Sequence, residues 1–289
     1  MRWLVGVIIV VAGLAGPAAI AADITADALD RINAFRMEHD LKPLRMEARL
    51  AVMARDQARE MVEKQYFGTR SPAGKSLKSR LSDAGYAYRQ AAQQVAVGFA
   101  DGRAVVDNWI GRGDSRQVLL NTAMTETGIG YASRGGGALD HYWVITLAEP
   151  TRQAESGWQR DILRLVNRYR AGYRLNPLKL DEALNRSAQG HADDMAARDY
   201  FDHVTPNGRT VGDRATAAGY PWQAIMENLA AGQQDPAEVV AGWIGSLPHR
   251  RAMLAPDIVD AGIGYRFLAR DTGQTQQYHY WALNMGRKR

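Results

Sequence analysis

The sequence predicts an α+β fold in two tandem copies, each closed by a small antiparallel sheet. Three observations carry this reading. The chain repeats itself at a constant spacing. Within each copy, apolar stripes at helical spacing come first, and runs rich in aromatic and β-branched residues come last. The 289 residues suffice for two ordinary domains, and 46% hydrophobic with 23% charged residues is a globular composition.

The repeat is read residue against residue. Asn33-Ala34-Phe35-Arg36 answers Asn167-Arg168-Tyr169-Arg170, and Leu41-Lys42-Pro43-Leu44 answers Leu175-Asn176-Pro177-Leu178. Tyr66-Phe67 answers Tyr200-Phe201, Ala84-Gly85-Tyr86 answers Ala218-Gly219-Tyr220, and Trp109-Ile110 answers Trp243-Ile244. Gly128-Ile129-Gly130-Tyr131 answers Gly262-Ile263-Gly264-Tyr265. The separation is 134 throughout (33 against 167, 131 against 265), and becomes 138 only where His141-Tyr142-Trp143 answers His279-Tyr280-Trp281. The extra residues fall between two expected strands, where a loop tolerates insertion. Copy one therefore covers 23–149 and copy two 157–286. Between them 150–156 is a short polar linker.

The elements follow in order. Leu29, Ile32 and Phe35 answer Leu163, Val166 and Tyr169 as the stripe of a first helix, which stops before a proline-containing turn. Leu50, Ala54, Ala58 and Met61 answer Leu184, Ala188, Ala192 and Met195 as a second helix. A third, shorter helix runs into Ala-Gly-Tyr, where the glycine suits a helix stop. Asp235-Pro236-Ala237-Glu238 has the form of an N-cap, a first-position proline and a capping-box glutamate. Strands are expected over 262–268 and 277–285. Gly-Ile-Gly-Tyr lies inside a strand pattern without a following helix, so it is not a phosphate loop.

The N-terminus has its own signature. Arg2, the apolar run Leu4–Leu14 and Ala19-Ile20-Ala21 describe a secretory signal peptide over 1–21. Export to the periplasm or the extracellular space follows, with no transmembrane segment left after cleavage. The chain has no cysteine, so its domains rest on packing alone, which fits a bacterial exported protein. The formal charge of +5 is spread out apart from Arg287-Lys288-Arg289, read as a frayed basic tail over 287–289. It allows weak attraction to an anionic envelope surface and gives no argument for nucleic acid.

The chemistry concentrates in copy two. His203, Glu227 and His249 stand at three element boundaries, and copy one carries Thr69, Gln93 and Ser115 in their places. His191 answers Gln57. The scaffold thus repeats without these titratable groups. One reading is a hydrogen-bonded structural cluster. Another is a divalent metal, zinc among several ions, held by His203, His249 and Glu227 with an open position for water or substrate. In that case Glu227 is the candidate catalytic base of a metal-dependent hydrolase. His191, on the buried stripe, reads as a core or cleft-wall residue. Ser246 precedes His249 by three residues, but it lies near a helix end without the strained turn a nucleophile needs. His141 and His279 read as structural, and His39 as solvent-facing.

Copy two resembles the CAP superfamily, the cysteine-rich secretory, antigen 5 and pathogenesis-related 1 proteins, also called SCP domains. Asn167-x-x-Arg170, His191-Ala192-x-Asp194-Met195, Tyr200-Phe201-Asp202-His203, Glu227-Asn228-Leu229 and Trp243-x-x-Ser246-x-Pro248-His249-Arg250 carry the resemblance, in that order. Copy one matches by scaffold only, as a degenerate CAP-like domain. The resemblance implies a three-layer α-β-α sandwich with a cleft of two histidines and two acidic residues. His203, Glu227 and His249 match three of these, and Ser246 occupies the place of the second acid. It further implies a ligand-binding cleft lined by His203, Glu227, His249, Ser246 and His191, taking a small molecule, lipid or peptide. A metal-dependent hydrolase and a non-catalytic envelope module are the alternatives.

Overall fold

The computed structural model describes residues 17–135 and 137–289, with side chains from Ile24 onward except that of Ala138. The expected signal peptide lies outside the described residues as far as position 16. The described residues divide into two compact units: 17–77 with 90–149, and 78–89 with 150–289.

In the first unit, α1 (Pro17–Met37), α2 (Ala48–Lys64), α4 (Gly102–Gly111) and α5 (Gly113–Leu119) surround β1 (Arg45–Met46), β2 (Tyr88–Val97), β3 (Glu126–Ser133) and β4 (His141–Pro150). The helix α3 (Leu77–Asp83) packs with the second unit. That unit continues with α6 (Trp158–Ala171), β5 (Lys179–Leu180), α7 (Glu182–Arg198), α8 (Val211–Ala217), β6 (Trp222–Ala231), α9 (Pro236–Gly245), α10 (Leu247–Met253), β7 (Asp260–Phe267) and β8 (His279–Lys288).

The sheets run β1-β3-β4-β2 and β5-β7-β8-β6. β7 and β8 are antiparallel with Ile263 opposite Leu283, and β6 is antiparallel to β8 with Glu227 opposite Asn284. The sheet expected to be purely antiparallel has one parallel edge. The two residues of β5 leave the proline turn extended and pair with Asp260 and Ala261 before α7 begins. A pairing so short leaves no periodic pattern in the sequence.

The layers follow from the alternation of side chains along β8. Trp281, Leu283 and Met285 join Ile162, Val166, Val239 and Trp243 from α6 and α9. Tyr280 and Ala282 join Ala188 and Met195 from α7 on the other face. The second unit is therefore helix, sheet, helix. Gly-Ile-Gly-Tyr marks where α7 lies against the sheet: a Cβ on Gly262 or Gly264 would stand 2.0 Å from the backbone of Leu184 or 2.3 Å from that of Ala188. Gly128 and Gly130 meet Leu50 and Ala54 in the same way.

The repeated Asn-x-x-Arg is a structural staple. Asn167 Oδ1 accepts from Leu178 N at 2.7 Å and its Nδ2 donates to Leu178 O at 2.9 Å, holding the turn after α6. Arg170, fully buried, donates to the carbonyls of Asn176, Met253, Ala255 and Ile258. Asn33 and Arg36 make the corresponding bonds in the first unit.

Two expectations at the edges of copy two change. Within 150–156, Thr151 is buried and its hydroxyl lies 2.6 Å from His279 Nε2, so the joint packs into the second unit. The basic tail is not frayed: β8 runs through Lys288, whose ammonium pairs with Asp181 at 2.8 Å.

Candidate functional site

The site begins with a buried charge. Glu227 sits on β6 with only 2% of its side chain exposed. A carboxylate taken out of water needs a partner. Arg214 on α8, also buried, donates from Nη2 to Glu227 Oε2 at 2.6 Å. Its Nη1 donates to the carbonyls of His203 at 2.9 Å and Arg209 at 3.0 Å. One guanidinium thus fastens the 203–209 turn to the carboxylate. A Thr210–Asp213 capping box opens the helix that carries it.

His203 completes the relay. Its Nδ1 lies 3.0 Å from Glu227 Oε1, and 56% of its side chain is exposed. A carboxylate only accepts, so the shared proton sits on Nδ1 and Nε2 is the nitrogen left for a ligand. The hydrogen bond to Glu227, helped by the same charge, raises the imidazole pKa above its ordinary value, with burial opposing.

His191 lies behind this pair. It is fully buried, with Nε2 3.0 Å from Asp202 O and 3.9 Å from Glu227 Oε1. Burial lowers its pKa against the pull of Glu227, so the neutral ring donates to the carbonyl. In copy one, Gln57 Nε2 donates to Gly68 O at 3.3 Å, the matching carbonyl. An amide nitrogen replaces the imidazole nitrogen there, so this bond belongs to the scaffold.

His249 is half-buried on α10, and its carbonyl accepts from Asn228 Nδ2 at 3.0 Å, which ties α10 to β6 one residue beyond Glu227. Burial lowers its pKa, and the neighbouring His203 charge adds to that. Ser246 lies at the junction of α9 and α10, and its side chain makes no capping bond to α10. The structure thus brings His203, Glu227 and His191 together, sets His249 within electrostatic reach, and gives Ser246 no part in the relay.

Among the described residues, no group of three or more His, Cys, Asp or Glu side chains is arranged to hold a metal ion. Glu227 shows why. One oxygen is bonded to a guanidinium and the other to His203, and a dication there would also face Arg214. The set His203, His249 and Glu227 does not fit a divalent ion in this arrangement. Nor does Glu227 suit a solvent-facing base, being buried with both oxygens engaged; its geometry is that of a positioning residue for His203.

Sequence reasoning missed Arg214. Its one trace in the sequence is Arg80, 134 positions earlier, a recurrence that marks the shared scaffold and not the site. It also missed β6, whose Trp-Gln-Ala-Ile-Met-Glu-Asn-Leu run shows no clean alternation.

Two histidines, His279 and His203, give opposite pH signs. His279 bonds to Tyr265 and Thr151, is 1% exposed, and burial pushes its pKa down to about 4. Its contribution is present above the unfolded value of about 6.5 and is lost as pH falls from there through about 4, on the order of 3 kcal/mol. His203, with a raised pKa, contributes below about 6.5 and loses that contribution as pH rises through its folded value. Thermal melts from pH 7 to pH 4 should fall more steeply for the wild type than for His279→Gln. Parallel curves would contradict the assignment.

Comparison with known proteins agrees with this architecture. The family model described as "CAP: Cysteine-rich secretory protein family" matches residues 29–147 and again 163–285. An uncharacterized protein, YkwD, of Bacillus subtilis is 36% identical over 110 residues, covering 38% of this chain and 43% of that protein. An uncharacterized membrane protein of the same organism, YlbC, is 33% identical over 116 residues, covering 40% of this chain and 34% of its own. The chain thus spans less than half the length of either relative. An extracellular SCP-domain protein from Bacillus anthracis, solved by crystallography, is 22% identical with a TM-score of 0.40, covering 52% of this chain and 54% of the other. With the family's pattern matched in both halves, the chain belongs to the cysteine-rich secretory protein (CAP) family and carries two copies of its domain.

Proposed function

We propose that this is an exported CAP-domain protein whose second domain binds a ligand at the cleft around His203, Glu227 and His249, without a resident metal. One observation carries the reading. His203 is more than half exposed, yet it is anchored through a buried Glu227–Arg214 pair that the fold does not require, since copy one has Thr69 and Gln93 there. Holding a solvent-facing imidazole in one tautomer on a buried ion pair prepares it to hydrogen-bond a partner. Phe201, Val204 and Leu247, all exposed, flank His203 and His249 in sequence. A small molecule, lipid or peptide with an acceptor group beside an apolar part suits that surrounding.

The hydrolase alternative has one observation in its favour, the buried carboxylate behind an exposed histidine, which is a general-base arrangement. Among the described residues, no hydroxyl is bonded to His203 as a nucleophile would be. Native mass spectrometry after incubation with a bacterial envelope extract tests the binding reading. A small-molecule adduct lost in His203→Ala and kept in His141→Ala supports it. No adduct, or one indifferent to His203, overturns it.

A further inference from the structure

A concavity in the second domain has a chemistry of its own. It measures about 450 Å³ and lies between α7, the 205–209 turn and α8, lined by Arg186, Arg198, Arg209 and Arg214 together with Thr205 and Asn207. His203, Glu227 and His249 are not among its lining residues. Three of the arginines are exposed at its surface, whereas Arg214 is buried. Asp194 is the single acid in the lining; it accepts from the Tyr200 hydroxyl at 2.5 Å and lies 3.6 Å from Arg198.

Four guanidinium groups line the cavity against Asp194, and with the buried Glu227 that pairs Arg214 counted as well, the balance is two positive charges, which favours an anion. Arg214 itself is held by its terminal nitrogens, which serve Glu227 and two carbonyls, so the exposed Arg186, Arg198 and Arg209 are the groups that would meet a ligand.

The cavity is also built rather than incidental. Arg186 is fixed by donation to Ala218 O at 3.0 Å. The turn bearing Arg209 is closed by bonds between Thr205 and Arg209 in both directions and by Gly208 at φ +82°. Copy one has lost this character. Val52 stands at the place of Arg186, and Asp56 and Asp83 replace Gly190 and Ala217, so two lysines and one arginine there face three acids.

We infer that this cavity is a binding site for the phosphoryl group of a small soluble molecule. Guanidinium forks match phosphate oxygens two at a time, and the Asn207 amide nitrogen, whose oxygen is held by the Thr205 hydroxyl, adds a donor at the rim. The cavity shares Arg214 with the His203 site, but His203→Ala leaves every guanidinium group in place, so the two readings fail separately.

Calorimetric titration of the full chain with inorganic pyrophosphate at fixed ionic strength tests it. Arg186 and Arg209 are exposed, so the double variant Arg186→Ala/Arg209→Ala should keep the fold, which circular dichroism verifies. One saturable site is expected, weakened at least about tenfold in that variant and unchanged in His203→Ala. Arg186→Lys/Arg209→Lys should lie between, because charge remains and the fork is lost. Absence of saturable binding, or equal binding by the double alanine variant, overturns the inference. So does binding confined to phosphatidylglycerol vesicles, which would make the patch a membrane contact.

Discussion

Arg214→Met will destabilise the second unit by about 3–5 kcal/mol, because it leaves the Glu227 carboxylate buried without its counter-charge. It also removes the two bonds that hold the 203–209 turn, so His203 loses its support from both sides. Glu227→Gln will cost less. Copy one already combines a buried Arg80 with Gln93, so the scaffold accommodates an amide at that place. Adding Glu227→Gln to Arg214→Met should return part of the loss, since no charge is then stranded. Urea unfolding followed by tryptophan fluorescence measures this double-mutant cycle. A midpoint for Arg214→Met equal to that of the wild type would show that the ion pair does not hold the site.

Arg170→Met should cost about 4 kcal/mol or more, from the carbonyls of Asn176, Met253, Ala255 and Ile258 left without their shared donor in a buried place. Methionine retains much of the volume, so the loss reports hydrogen bonding rather than a cavity. The carbonyls of Met253, Ala255 and Ile258 bracket the end of α10 and the approach to β7, so the damage should reach the segment bearing His249. Hydrogen exchange of amides 250–262 measures it, and protection unchanged from the wild type would contradict the role given to Arg170.

Much of this fold was legible because it is written twice. Leu184, Ala188 and Met195 announce α7 by spacing, and the same pattern at Leu50, Ala54 and Met61 removes the ambiguity of a single run. Asp235 caps α9 through Ala237 and Glu238 N, as its position implied, although the Glu238 carboxylate reaches Gln234 N instead of the cap residue. β6 and the short α10 were not legible. β6 is half-buried with a glutamate in its middle, and α10 holds Pro248 in its first turn, so neither shows a clean period. The difference between copies singled out His203, Glu227 and His249. It could not reveal that Glu227 is committed to Arg214, because an arginine kept in both copies carries no contrast. Metal ligation was read from residue types alone, which do not show that one carboxylate oxygen of Glu227 bonds Arg214 and the other His203.

The arrangement of the cleft can be read at one ring. A nitrogen-15 NMR titration of His203, in the presence and absence of one equivalent of zinc, follows its tautomer and its pKa together. A neutral ring protonated at Nδ1, titrating above about 6.5, shifted down in Glu227→Gln and indifferent to zinc, is what the Glu227–Arg214 anchor predicts. A ring that titrates at or below that value, or whose signals saturate at one equivalent of zinc, would contradict a metal-free, carboxylate-held histidine as the binding group of this domain.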